Sequence, residues 1–81
     1  MDKKEIEKKV KEILADRLDI DLEKIKLESR LAEDLDMDSF GAIEIMFEME
    51  EKFDIKVKEE EMKNLQTVKD IIRYIENKLR V

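Results

Sequence analysis

FGAIEIMFEMEEKF, residues 40–53, decides the fold, because its apolar side chains fall on two faces of one helix. At about 100° per residue, Ala42, Ile45, Met46, Met49 and Phe53 gather in one direction, as a core-facing stripe does. Phe40, Ile43 and Phe47 gather on roughly the opposite side. Glu44, Glu48 and Glu51 border that second group on one flank and Glu50 on the other. Burying the second group would draw carboxylates toward a core whose neighbouring sequence supplies no obvious partners for them. An apolar patch ringed by one sign of charge reads instead as a docking surface: the side chains give contact area, and the carboxylates give orientation and on-rate. The stretch is therefore a helix with its inner face in a core and its outer face offered to basic partners.

Working outward, Asp38 stands where this helix begins, and its carboxylate suits the free N–H groups and positive dipole of a first turn. Upstream, residues 19–38 show no sustained helical period. Ile20, Leu22, Ile25, Leu27, Leu31 and Leu35 space apolar anchors along them, so they read as a long, pinned connection, of a length that is often functional or holds a short helical turn. Before it, Ile6, Val10, Ile13, Leu14 and Leu18 recur at three- and four-residue steps and predict an amphipathic helix from Lys3 to about Leu18. Downstream, DIKVKEEEMKNL gives a connector and a short third helix. Thr67 with Asp70 forms a capping box for a fourth helix, whose buried face is Val68, Ile71, Ile72, Ile75 and Leu79. The expectation is an all-α, small four-helix bundle with a long first loop and a short third helix, a single domain over residues 1–81.

Composition supports that class and narrows the function. The 81 residues contain no Cys, no His, no Pro and one Gly, and 49% of them are charged, with Glu and Lys, good helix formers, prominent. Without Cys or His there are no disulfides, thiolate nucleophiles or imidazole bases. No apolar run approaches the roughly 20 residues a membrane helix needs. MDKKEIEKKV lacks the apolar core of a secretory signal, so a cytoplasmic location is expected. The net charge of -6 is concentrated: residues 31–60 carry 11 acidic and 3 basic side chains. That field disfavours nucleic acid and anionic membranes and steers the chain toward basic protein patches.

Ser39 follows the capping Asp38, which puts its hydroxyl at the exposed, positive end of the helix dipole, a favourable place for a phosphate ester. An Asp-Ser pair at a helix start is by itself ordinary capping chemistry. The wider pattern is more specific. Glu33-Asp34-Leu35-Asp36-Met37-Asp38-Ser39-Phe40, then Glu50-Glu51-Lys52-Phe53-Asp54-Ile55, then Thr67-Val68-Lys69-Asp70-Ile71-Ile72-Arg73-Tyr74-Ile75 closely resemble, in order and spacing, the motifs of the acyl carrier protein family.

That resemblance implies a non-catalytic carrier. Ser39 would take a covalent 4′-phosphopantetheine arm from coenzyme A by the action of a phosphopantetheinyl transferase, and the arm's thiol would hold acyl thioesters. Asp38 matches the family's Asp that helps hold the metal in the transferase complex. Phe40, Ile43, Glu44, Phe47, Glu48 and Glu51 fall on the family's partner-recognition helix, which meets acyl-loading and acyl-processing enzymes. The pathway implied is fatty-acid or related lipid or secondary-metabolite biosynthesis, with a polyketide or peptidyl carrier as the alternative, and a monomer is expected. In the family the acyl chain lies between the helices, where Leu35, Ile45, Met46 and Ile71 are candidates for its lining or for plain core packing.

Two residues depart from the family pattern. Asp36 replaces the usual Gly, and Asp tolerates left-handed backbone better than most residues. Phe40 replaces the usual Leu after the serine, in the middle of the docking surface, where a larger ring would retune partner choice. Gly41 beside it would make room.

Three rival readings are weaker. Asp34, Asp36 and Asp38 imitate the opening of a calcium loop, but Ser39 stands where that loop needs Gly and Ile45 where it needs a bidentate Glu. A paired-carboxylate hydrolase needs a cleft that a bundle of this size does not suggest. An acidic helical adaptor with an unmodified Ser39 explains the helices and the exposed stripe, but not the three motifs.

Overall fold

The computed structural model describes residues 1–80, so Val81 of the expected domain lies outside them. The first helix, α1, spans Lys3–Leu18, capped by the Asp2 carboxylate, which accepts from the Glu5 N–H at 2.9 Å. It ends at Asp19 in left-handed backbone, φ 56°. Helix α2 spans Ser39–Phe53, α3 Glu59–Met62 and α4 Val68–Leu79. Helix α1 packs on both α2 and α4, and α3 leans on α2. The four-helix expectation holds for the described residues, including the short third helix.

Each long helix buries the stripe its period predicts. Ile6, Val10, Ile13 and Leu14 of α1 meet Ile45, Met46, Met49 and Phe53 of α2 and Val68, Ile71, Ile72 and Ile75 of α4 in one apolar cluster. Burial on that scale stabilises by roughly 1.5–3 kcal/mol per large aliphatic side chain before entropy is counted. Leu79 closes the α4 stripe half-buried.

The connection from Asp19 to Asp38 contains one 3-10 turn, Leu22–Lys24. Ile25, Leu31 and Leu35 sink into the core, but Leu22 is 46% exposed. It is not an anchor: it opens the turn at the surface, and the burial on this segment falls to Ile25 at the turn's end. Backbone hydrogen bonds supply the missing restraint. The N–H of Leu31 donates to the Gln66 carbonyl at 2.9 Å, that of Val68 to Ser29 at 3.1 Å, and that of Lys69 to Leu27 at 2.9 Å. Residues 27–31 thus lie against the start of α4, where the Thr67–Asp70 capping box forms as predicted. The buried Ser29 hydroxyl is satisfied by the Lys26 N–H at 3.0 Å.

Candidate functional site

Ser39 is the first residue of α2 and is exposed. Its position follows from its neighbours on both sides. Asp36 takes left-handed backbone at φ 56°, as its place in the motif predicted, and turns the chain into the helix. The Met37 N–H donates back to the Leu31 carbonyl at 2.9 Å, fixing the approach. Asp38 then caps α2, its Oδ1 accepting from the Gly41 N–H at 2.7 Å. Such a cap is worth about 1 kcal/mol, and Ser39 stands next to it in the first turn, at the positive end of the helix.

Beside Ser39 a small groove of about 120 Å³ runs between α2 and α3, lined by Ser39, Ala42, Ile43, Met46, Met62 and, at its rim, Glu59 and Lys63. Of the residues considered as an acyl lining, only Met46 borders it. Leu35, Ile45 and Ile71 are packed within the core instead: Ile45 and Ile71 lie on the inward stripes of α2 and α4, and Leu35 is sunk into the core from the long connection. The contributions of Met62, Glu59 and Lys63 were not legible in sequence, since α3 reaches Ser39 only through the packing of a four-residue helix.

The outer face of α2 is open. Phe40 is 71% exposed, Phe47 59% and Ile43 38%. Glu44 and Glu51 are exposed beside them, while Glu48 is half-buried and paired with Arg17 at 3.1 Å. Glu50, on the other flank, turns inward and accepts from the Val57 N–H at 2.8 Å, a structural role that ties the α2–α3 connector to the bundle. Gly41 serves Asp38 rather than Phe40: a Cβ there would stand 3.3 Å from Asp38 Oδ1 and 3.6 Å from the Met37 side chain.

Residues 8–75 match the family described as "Phosphopantetheine attachment site". The acyl carrier protein of Thermosynechococcus vestitus is 42% identical over 79 residues, which is 98% of each chain. Those of Helicobacter hepaticus and Wolinella succinogenes are 42% and 40% identical over 67 residues, 83% of this chain and 88% of theirs. The chain belongs to the acyl carrier protein family. Acyl carrier proteins are carriers and not catalysts, and membership implies a covalently attached 4′-phosphopantetheine. The residues present fit attachment of such a group: an exposed serine at a helix N-terminus, with a small groove beside it. No helix is long and apolar enough to cross a membrane among the described residues, and no three His, Cys, Asp or Glu side chains there are grouped to hold a metal ion.

Proposed function

We propose that residues 1–81 form one cytoplasmic acyl carrier domain, monomeric, in which Ser39 carries the 4′-phosphopantetheine arm for fatty-acid or related biosynthesis. The observation that carries this reading is the exposed Ser39 hydroxyl at the capped start of α2, next to the α2–α3 groove. In the transfer, Ser39 Oγ forms the new bond to phosphorus, its proton leaves, and the pyrophosphate bond of coenzyme A breaks to release adenosine 3′,5′-bisphosphate. The arm's thiol supplies the thioester chemistry. The protein's own contribution is placement: the α2 dipole favours the phosphodiester's negative charge. Asp38 Oδ1 accepts from the Gly41 N–H, and the other carboxylate oxygen, with no such hydrogen bond among the described residues, would be the one to help hold the cation brought by the transferase.

Phe40, Ile43 and Phe47 supply contact area for the transferase and for acyl-loading and acyl-processing enzymes, and Glu44 and Glu51, joined by Glu48 where its pair with Arg17 opens, orient their basic patches. Support comes from the exposure of all three apolar side chains in a chain that otherwise buries its helix stripes.

The test is intact-protein mass after incubation with coenzyme A, magnesium and a broad-specificity phosphopantetheinyl transferase, with Ser39→Ala alongside. One arm on the wild type and none on the variant is expected. No added mass with several transferases sinks the proposal and favours the adaptor reading.

A further inference from the structure

The outer face of α2 is not uniformly acidic, because α1 reaches into it. Arg17, in the last turn of α1, donates from Nη2 to Glu48 Oε2 at 3.1 Å across 31 residues of sequence, and both side chains remain partly exposed. Glu44, one turn earlier on α2, adds to the pull on the guanidinium, though less than Glu48 does. A cation therefore stands among the carboxylates of the docking face, and one of those carboxylates is already engaged.

We infer that Arg17 is a specificity-determining residue of this face: by pairing with Glu48 it withholds that carboxylate and presents like charge to a uniformly basic partner patch. The inference rests on the docking role proposed for α2. A partner that is basic throughout meets repulsion at Arg17. One that sets a carboxylate opposite Arg17, among its own cations, docks with the Arg17–Glu48 pair intact. Position matters more than net charge, since at physiological ionic strength a charge acts over about 8 Å. The pair is partly exposed and contributes little to folding, so its removal reports on docking rather than on stability.

The experiment measures kcat/KM for arm transfer at physiological ionic strength by a transferase with a basic docking patch, using wild type, Arg17→Ala, Glu44→Gln and Lys24→Ala. Lys24 lies in the 3-10 turn that packs on α1, so its loss changes net charge equally without altering the α2 face. Arg17→Ala is expected to raise kcat/KM about two- to four-fold, an advantage that shrinks with added salt. Glu44→Gln lowers it, and Lys24→Ala leaves it near wild type. A slowed Glu44→Gln together with an unchanged or slowed Arg17→Ala overturns the inference while the docking role stands, as does a Lys24→Ala gain equal to that of Arg17→Ala. If Glu44→Gln has no effect, the docking role itself fails and the inference falls with it.

Discussion

Asp38 Oδ1 lies 2.7 Å from the Gly41 nitrogen, and a side chain at Gly41 would bring a Cβ to 3.3 Å from that same oxygen. The chain's one glycine thus has helical backbone and no need of glycine's conformational freedom; what it provides is space for the cap. Two effects oppose each other in Gly41→Ala. Helix propensity favours Ala by about 1 kcal/mol, and loosening an Asp cap costs a similar amount, roughly 0.5–2 kcal/mol. Denaturant unfolding should therefore find stability close to wild type, while arm transfer to Ser39 slows because Asp38 has been displaced. A variant that is about 1 kcal/mol more stable and modified at full rate would show that the cap does not depend on Gly41.

The short α3 is held by a side-chain latch to α4. The Tyr74 hydroxyl donates to Glu61 Oε1 at 2.6 Å, Lys78 Nζ stands 3.7 Å from the same oxygen, and the ammonium lies 5.5 Å from the Tyr74 ring centre. Burial first, and then the Glu61 carboxylate, push the Tyr74 phenol up from 10.0 to about 12. Tyr74 stays protonated in the fold at a pH where the unfolded chain's phenol has ionised, so the folded state binds more protons there. Its contribution is complete below pH 10 and fades as pH rises toward 12. Tyr74→Phe should lose about 1 kcal/mol at neutral pH and show a shallower decline in stability above pH 10. Parallel alkaline profiles for the two proteins would contradict the latch.

How much of this was legible in sequence depended on range. The stripes of α1, α2 and α4 follow from period alone, and the exposure of Phe40 and Phe47 follows from their placement opposite Ile45 and Met49. The Thr67–Asp70 box is local and could be read directly. Contacts between distant segments left no such trace. The Arg17–Glu48 pair, the hydrogen bonds of residues 27–31 to residues 66–69, and the approach of Met62 and Lys63 to Ser39 arise only once the helices have packed. Leu22 looked like an anchor because apolar spacing alone does not tell which side of a tight turn a residue will face.

Asp36 is the position where a motif departure and a backbone angle coincide. Its φ of 56° is one that Gly adopts freely and that costs most L-residues roughly 1–2 kcal/mol, Asp less. Asp36→Ala should accordingly unfold at lower denaturant than wild type, and Asp36→Gly should be more stable than Asp36→Ala by about 1 kcal/mol. Equal midpoints for the Ala and Gly variants would mean that the turn before Asp38 relaxes to negative φ without loss.

The start of α4 is predicted to set part of the acid limit. Asp70 Oδ2 accepts from the Gln66 N–H at 3.0 Å and the Thr67 N–H at 3.1 Å, while Thr67 Oγ1 accepts from the Asp70 N–H at 3.2 Å. The backbone donors, Gln66 first, hold the Asp70 carboxyl below its ordinary 3.8. A depressed carboxylate contributes stability that is present above the unfolded value and is lost as pH falls through the lower folded value. Removing the box from the Thr67 side should cost about 1 kcal/mol at neutral pH. Asp70→Asn removes the titration, so between about pH 5 and 3 its unfolding midpoint should fall less steeply than that of wild type. Because residues 27–31 are hydrogen-bonded to this same corner, loosening it should also raise amide exchange at Leu31 and Val68 ahead of the core of α1. Exchange at those two amides that stays as slow as at Leu14 in Thr67→Ala would show that the core residues Ile25 and Leu31, not the α4 start, hold the long connection in place.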